Sequence, residues 1–177
     1  YNDFRYQLSD RTVGTLTYRN AEVDGDGAVT DSTNHFILVG LDHRFNEKSN
    51  GVIRAGAQVR DVEGGSSGNN PYVEGSFRTA VNSQFSLRSY VRYGVEDFAR
   101  NVFNLNTGIN AFYSNTDTLR IGVTGTYTLS EDLSLSGGIN YASLDYNDLY
   151  VSTFGLGAAS VDEELLNAFV GVNLRVT

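Results

Sequence analysis

Between His35 and Asp61 the chain repeats one pattern twice, and that pattern leaves few folds open. In HFILVGLDHRF, Ile37, Val39, Leu41 and Phe45 alternate with Leu38, Gly40, Asp42 and Arg44. After the polar break NEKSN, the segment GVIRAGAQVRD sets Ile53, Ala55, Ala57 and Val59 against Arg54, Gly56, Gln58 and Arg60. A side-chain period of two puts each set on its own face of a strand, so the stretch reads as a hairpin with one apolar and one polar face. Each arm runs to about eleven residues, the length of a tilted membrane-crossing strand and longer than most soluble strands. The arms therefore predict an apolar face turned to lipid and an arginine-bearing face turned to a wet barrel lumen.

The same period recurs along the chain. Phe4, Tyr6 and Leu8 alternate with Arg5 and Gln7, and TVGTLTYRNAEV returns after the turn LSDRT. Val73, Phe77 and Val81 oppose Tyr72, Glu74, Ser76 and Arg78; Phe85, Leu87, Val91 and Tyr93 oppose Arg88, Tyr90, Arg92 and Glu96. NVFNLNTGINAFY reads as one further strand, followed by LRIGVTGTYTL, LSLSGGINYAS, a weakly patterned stretch over 144–164 and a final strand LNAFVGVNLRVT. No segment has helical period. The prediction is an all-β chain, an antiparallel up-and-down transmembrane β-barrel of about ten strands, within a range of roughly eight to twelve, forming one domain over 1–177. Tyr and Phe recur at strand ends, at Phe45, Tyr72, Phe85, Tyr93, Tyr113, Tyr127 and Tyr141, where interfacial girdles would sit. SNTDT and LSED both read as short turns with a single strand between them, which breaks the alternation of short and long connections unless DLYVSTFGLG supplies an extra strand.

Charge and composition narrow the function. The net charge of −8, with 21 acids against 13 basic residues, argues against nucleic acid as a partner. Twelve of the basic residues are Arg, mostly on the polar faces of strands, while the acids crowd the loops. With no Cys there is neither a disulfide framework nor a thiolate site. No apolar run is long enough for a membrane helix, and a mean hydropathy of −0.27 is what strands with one polar face produce. The chain starts on Tyr1 with strand-like residues already in place, so a preceding segment is expected.

The pieces YQLSDRTVGTLTYRN, VGLDHRFNEKSNGVIRAGAQVRDVE, PYVEGSFRTAVNSQFSLRSYVRYGVED and NAFVGVNLRV resemble the β-barrel porins known only as outer membrane β-barrel proteins of Gram-negative bacteria. The resemblance implies a transport barrel in the bacterial outer membrane. Members of that family are longer, which implies that 1–177 is the C-terminal portion of a larger barrel or a compact relative. Some members accompany polysaccharide export, and a conduit of that kind is a variant the resemblance allows.

The candidate site is the charged face. Alternation directs Arg5, Arg19, Arg54, Arg60 and Arg78 inward in the first half of the chain, and Arg88, Arg92, Arg120 and Arg175 in the second, with Glu74 and Glu96 among them. Arginine presents a rigid charged fork suited to carboxylates and phosphates, so a wet pore lined with it would favour small polar or anionic solutes. The competing expectation is a plugged structural barrel in which these arginines pair with Asp42, Glu74 and Glu96, and whose acidic outer loops bind a partner protein or Ca²⁺. Glu22, Asp24, Asp26, Gly27, Thr30 and Asp31 approximate a calcium loop, making Asp24, Asp26 and Asp31 the metal candidates; Thr33 stands where a bidentate acid is needed, as in a plain solvated loop. Asp162, Glu163 and Glu164 read as a charged loop tip. His35 and His43 lie on one strand, about 26 Å apart at strand rise, too far to share a metal. No nucleophile with a base, and no carboxylate pair at one rim, points to an enzyme, and no cofactor is implied. A soluble ligand-binding barrel would turn its apolar residues inward, and the inward arginines argue against it.

Overall fold

The structure, a computed structural model, describes residues 1–23, 31–62, 67–96, 100–104, 109–151 and 161–175. Ten strands form one antiparallel sheet: β1 (Asn2–Ser9), β2 (Thr12–Val23), β3 (Ser32–Arg44), β4 (Ser49–Val62), β5 (Gly68–Ala80), β6 (Phe85–Glu96), β7 (Arg100–Asn104), β8 (Ile109–Thr128), β9 (Leu133–Val151) and β10 (Val161–Leu174). Each strand pairs with its neighbour in the chain in the order β1-β2-β3-β4-β5-β6-β8-β9-β10, with β7 against β8. The period of two thus becomes an up-and-down sheet. Asn side chains build two of the tight turns: Asn46 Oδ1 accepts from the Lys48 N–H at 2.8 Å, and Asn82 Oδ1 from those of Gln84 and Phe85 at 2.9 and 2.7 Å.

Two expectations change. SNTDT is no turn: residues 114–118 lie inside β8, a strand of 20 residues. NVFNLNTGINAFY is not one strand either, because β7 ends at Asn104 and β8 begins at Ile109 in antiparallel register, Asn104 opposite Ile109 and Arg100 opposite Tyr113. Glu96 of β6 pairs with Thr116, so β7 continues the column of β6 alongside β8 with one extra residue in the connection. The short turns at 10–11, 45–48, 81–84 and 129–132 then all fall at one end of the sheet, and the misfit of the turn pattern disappears. Closure into a barrel is not among the strand pairings; β1 and β10 are the two ends of the order.

The two faces are chemically opposite. Register places Phe4, Leu16, Ile37, Val39, Ile53, Val91, Ile121, Ile139 and Val170 on one face, and every one of them is exposed. The other face carries charged side chains and most of the buried ones: Leu38 at 0 %, Gln58 at 1 %, with Thr17, Phe36, Tyr72, Thr116 and Thr118. Curvature accounts for the inversion. Arg19 on β2 meets Glu74 on β5 at 3.5 Å, although three strand spacings span about 14 Å on a flat sheet. The sheet therefore curls toward its polar face, and side chains there bury one another.

Glycines make that crowding workable. A Cβ at Gly94 would lie 2.5 Å from the ring of Tyr72, and one at Gly122 would meet the ring of Tyr90 and the amide of Asn140. Large and hydrogen-like residues interlock across the concave side, as a packed wall requires.

The exposed face forms a band. On β3 it runs from His35 to His43 through Ile37, Val39 and Leu41. At the short-turn end, Phe45 packs edge-on to His43 (4.6 Å) and Phe77 (5.7 Å); toward the other end, Tyr18 stacks on His35 at 6.0 Å. Beyond the band the ladder sets Asp117 opposite Asp145, and Asp145 opposite Asp162.

Candidate functional site

The concave face holds the charged constellation, and register decides which residues meet. Arg5 on β1 donates to Asp42 Oδ2 at 2.6 Å and reaches Asp3 at 3.4 Å, while Thr17 Oγ1 donates to the other Asp3 oxygen at 2.6 Å. Arg54, opposite Gly40 on β3 and Glu74 on β5, stands between Asp42 (3.4 Å) and Glu74 (3.7 Å). Glu74 also accepts the Tyr72 hydroxyl at 2.8 Å and faces Arg19, whose guanidinium lies 4.2 Å over the Phe36 ring and 5.2 Å from that of Tyr72. A cation seated over two aromatic rings is attracted to their faces as well as to the carboxylate. The result is one chain of alternating charge across β1 to β5.

A second group lies on β6 and β8. Arg120 grips Glu96 in a fork, Nε to both carboxylate oxygens at 3.0 and 3.1 Å and Nη2 to Oε2 at 2.7 Å; Arg92, on the strand of Glu96, bonds the same carboxylate. Such two-pronged contacts fix geometry as well as charge. Glu96→Gln keeps the shape and removes the charge, leaving two cations to share a neutral amide. The groups are part-exposed, so the expected loss is about 1–2 kcal/mol of stability, read as a lower urea midpoint.

A third cluster is uncharged. Gln58 donates to Asn34 Oδ1 at 2.9 Å and to the Val95 carbonyl at 2.7 Å, and accepts the Val95 N–H at 3.0 Å. Tyr90 similarly reaches over β8 to Asn140 at 3.2 Å.

The predicted residues thus separate by environment. Arg54 and Glu74 come together, as do Arg92, Arg120 and Glu96. Arg60 is buried, opposite Asn34 and Gly68 in the ladder. Arg78 and Arg88 are exposed, directly opposite each other on β5 and β6, and meet no carboxylate among the described residues. Comparison with protein-family models, curated proteins and solved structures finds no match to this chain. Of the calcium-loop candidates, Asp24 and Asp26 lie outside the described residues and Asp31 is exposed; no three His, Cys, Asp or Glu among the described residues are arranged to hold a metal. The histidines are taken up by neighbours, His35 Nδ1 with the Tyr18 hydroxyl at 2.8 Å and His43 Nδ1 with the Thr12 hydroxyl at 2.9 Å.

Three participants escaped the reading of the sequence. Asp3, bound by Thr17 directly opposite on β2 and by Arg5 two residues on, was not singled out, and Gln58 was placed on the polar face without its link to Val95 on β6. Arg44 did give a signal: it shares the parity of Asp42 and belongs with the inward arginines.

Proposed function

We propose that this sheet is wall of a bacterial outer-membrane β-barrel that passes small polar or anionic solutes, its apolar face against lipid and its charged face toward a wet interior. The observation that carries this reading is the apolar band, exposed across every column of the sheet while the charges sit on the opposite face. A soluble sheet buries such a face against a second layer, and the described residues contain none. Water-soluble monomers rarely expose apolar patches beyond a few hundred Å². On β3 the band covers about 26 Å of strand, about 20 Å of height at a barrel strand's tilt of roughly 40°, against an apolar belt of roughly 25 Å in membrane barrels, and rings and histidines stand at both of its limits. No helix among the described residues is long and apolar enough to cross a membrane.

A second reading has its own support. The ion pairs of Asp42, Glu74 and Glu96, with the packing of Phe36, Leu38 and Tyr72, fill part of the concave side and favour a structural barrel braced from within, whose acidic outer loops bind a partner protein. Planar-bilayer conductance under a salt gradient separates the two. Discrete steps with anion preference are the expected result for the conduit. Inserted, folded protein that stays silent supports the braced barrel, and protein that never enters the bilayer overturns the membrane reading.

A further inference from the structure

Apart from the buried Arg60, the described strand arginines of the concave face fall into two groups. Arg5, Arg19, Arg54, Arg92 and Arg120 each meet a carboxylate. Arg44, Arg78 and Arg88 meet none among the described residues, and all three are exposed. These three share one row of the ladder: Arg44 opposite Asn50, Asn50 opposite Arg78, Arg78 opposite Arg88, and Arg88 opposite Thr124. Directly opposite residues have Cα atoms about 5 Å apart, so the Arg78 and Arg88 side chains rise next to each other. Arg44 stands two strand spacings from Arg78, about 10 Å away.

Like charges set directly opposite each other destabilise a sheet. Among the described residues no carboxylate forms an ion pair with Arg44, Arg78 or Arg88 to offset this repulsion. Ser76, Ala80, Ser86 and Tyr90, two positions along on β5 and β6, are uncharged, and Asp42, two positions from Arg44, is held by Arg5 and Arg54. Three unspent guanidinium forks in one row, with the Asn50 amide and Thr124 hydroxyl between and beside them, match the geometry of an oxyanion with several acceptor oxygens.

We propose that Arg44, Arg78 and Arg88 form a binding site for an oxyanion of two or more negative charges, with Arg78 and Arg88 as its clamp. The row lies beside the turns at 45–48 and 81–84, and so, on the barrel reading that it rests on, at the short-turn mouth of the interior. The anion is carried either by a free solute or by a lipid headgroup entering from the rim.

The test is calorimetric titration of the full chain, folded in a nonionic detergent, with inorganic pyrophosphate. Wild type is expected to bind at one site. R78Q/R88Q should weaken binding at least tenfold, R44Q severalfold, and R78K/R88K should fall in between because charge is kept and the fork is lost. The urea midpoint of R78Q/R88Q should hold or rise, since repulsion is removed, which separates lost binding from lost fold. L38A, in the buried apolar cluster, provides the contrast: a lower urea midpoint with pyrophosphate affinity unchanged. In phosphatidylcholine nanodiscs, added phosphatidylglycerol that competes with pyrophosphate in wild type identifies a headgroup as the natural source, and absence of competition identifies a free solute; both support the site. Equal binding by wild type and R78Q/R88Q, or none by either, overturns it. Protein that inserts into bilayers yet fails this titration loses the site and keeps the barrel, whereas protein that binds pyrophosphate but never inserts keeps the site and loses the barrel.

Discussion

Val39→Arg is expected to destabilise the bilayer-folded protein by about 2–4 kcal/mol, the cost of a guanidinium on the lipid side near the membrane midplane. Val39 is 63 % exposed at the centre of the band, between Ile37 and Leu41 along β3 and between Leu16 and Ala55 across the ladder. The side chain is mostly exposed, so in a sheet bathed by water the same change would cost about 0.5 kcal/mol or less. The environment alone sets the difference. Thr12→Arg, on the same face beside His43 at the short-turn end, is the depth control, expected at about 0–1 kcal/mol near an interface. Reversible urea unfolding in lipid vesicles measures both. Equal, small effects at the two positions would mean that the band does not face lipid.

Gln58→Leu is expected to cost about 2–6 kcal/mol, from two backbone groups left without partners at roughly 1–3 kcal/mol each. The reason begins at Pro71. β5 and β6 pair from Val73 opposite Tyr93 onward, and the next equivalent position would set Pro71 opposite Val95. Proline has no N–H to give, and the ladder stops there. The Gln58 amide takes over both exchanges, donating to the Val95 carbonyl and accepting its N–H, in place of the missing peptide group. Leucine fits the volume but supplies neither bond. A lower urea midpoint at unchanged slope reads the loss as stability rather than as a change in compactness. A shift below about 0.5 kcal/mol would show that Val95 finds other partners.

The strands whose two faces differ in polarity were legible, because a period of two is a property of one strand read alone. β3 and β4 are the example, and their hairpin register follows from it. Reading failed where local chemistry and tertiary pairing disagree. Ser114, Asn115 and Asp117 are turn formers, yet β8 runs through them: Asn115 lies opposite Asn147, and Thr116 and Asp117 have partners on both edges, Glu96 and Val95 on one, Tyr146 and Asp145 on the other. LNTG was hidden for the converse reason, since Phe103, Leu105 and Ile109 keep their alternation straight through the connection between β7 and β8. Within the candidate site, the charged face could be named but its pairing could not. Arg19 finds Glu74 three strands away, and Gln58 mends a gap made by a proline on the next strand at a position on the strand beyond. Curvature brings those groups together, and no single strand encodes it.

The strand count also decides how the two free edges can be used. Eight reversals separate β1 from β10 along the order of the sheet, so both run in the same direction. Joined directly, they would form the single parallel seam in an otherwise antiparallel molecule. An antiparallel seam takes one further strand between them, or another odd number. Two copies joined β1 to β1 would pair antiparallel but stand upside down relative to each other, which a membrane with distinct sides does not permit. On the barrel reading, the parity of the described sheet makes closure a question of one added strand and not of bending alone.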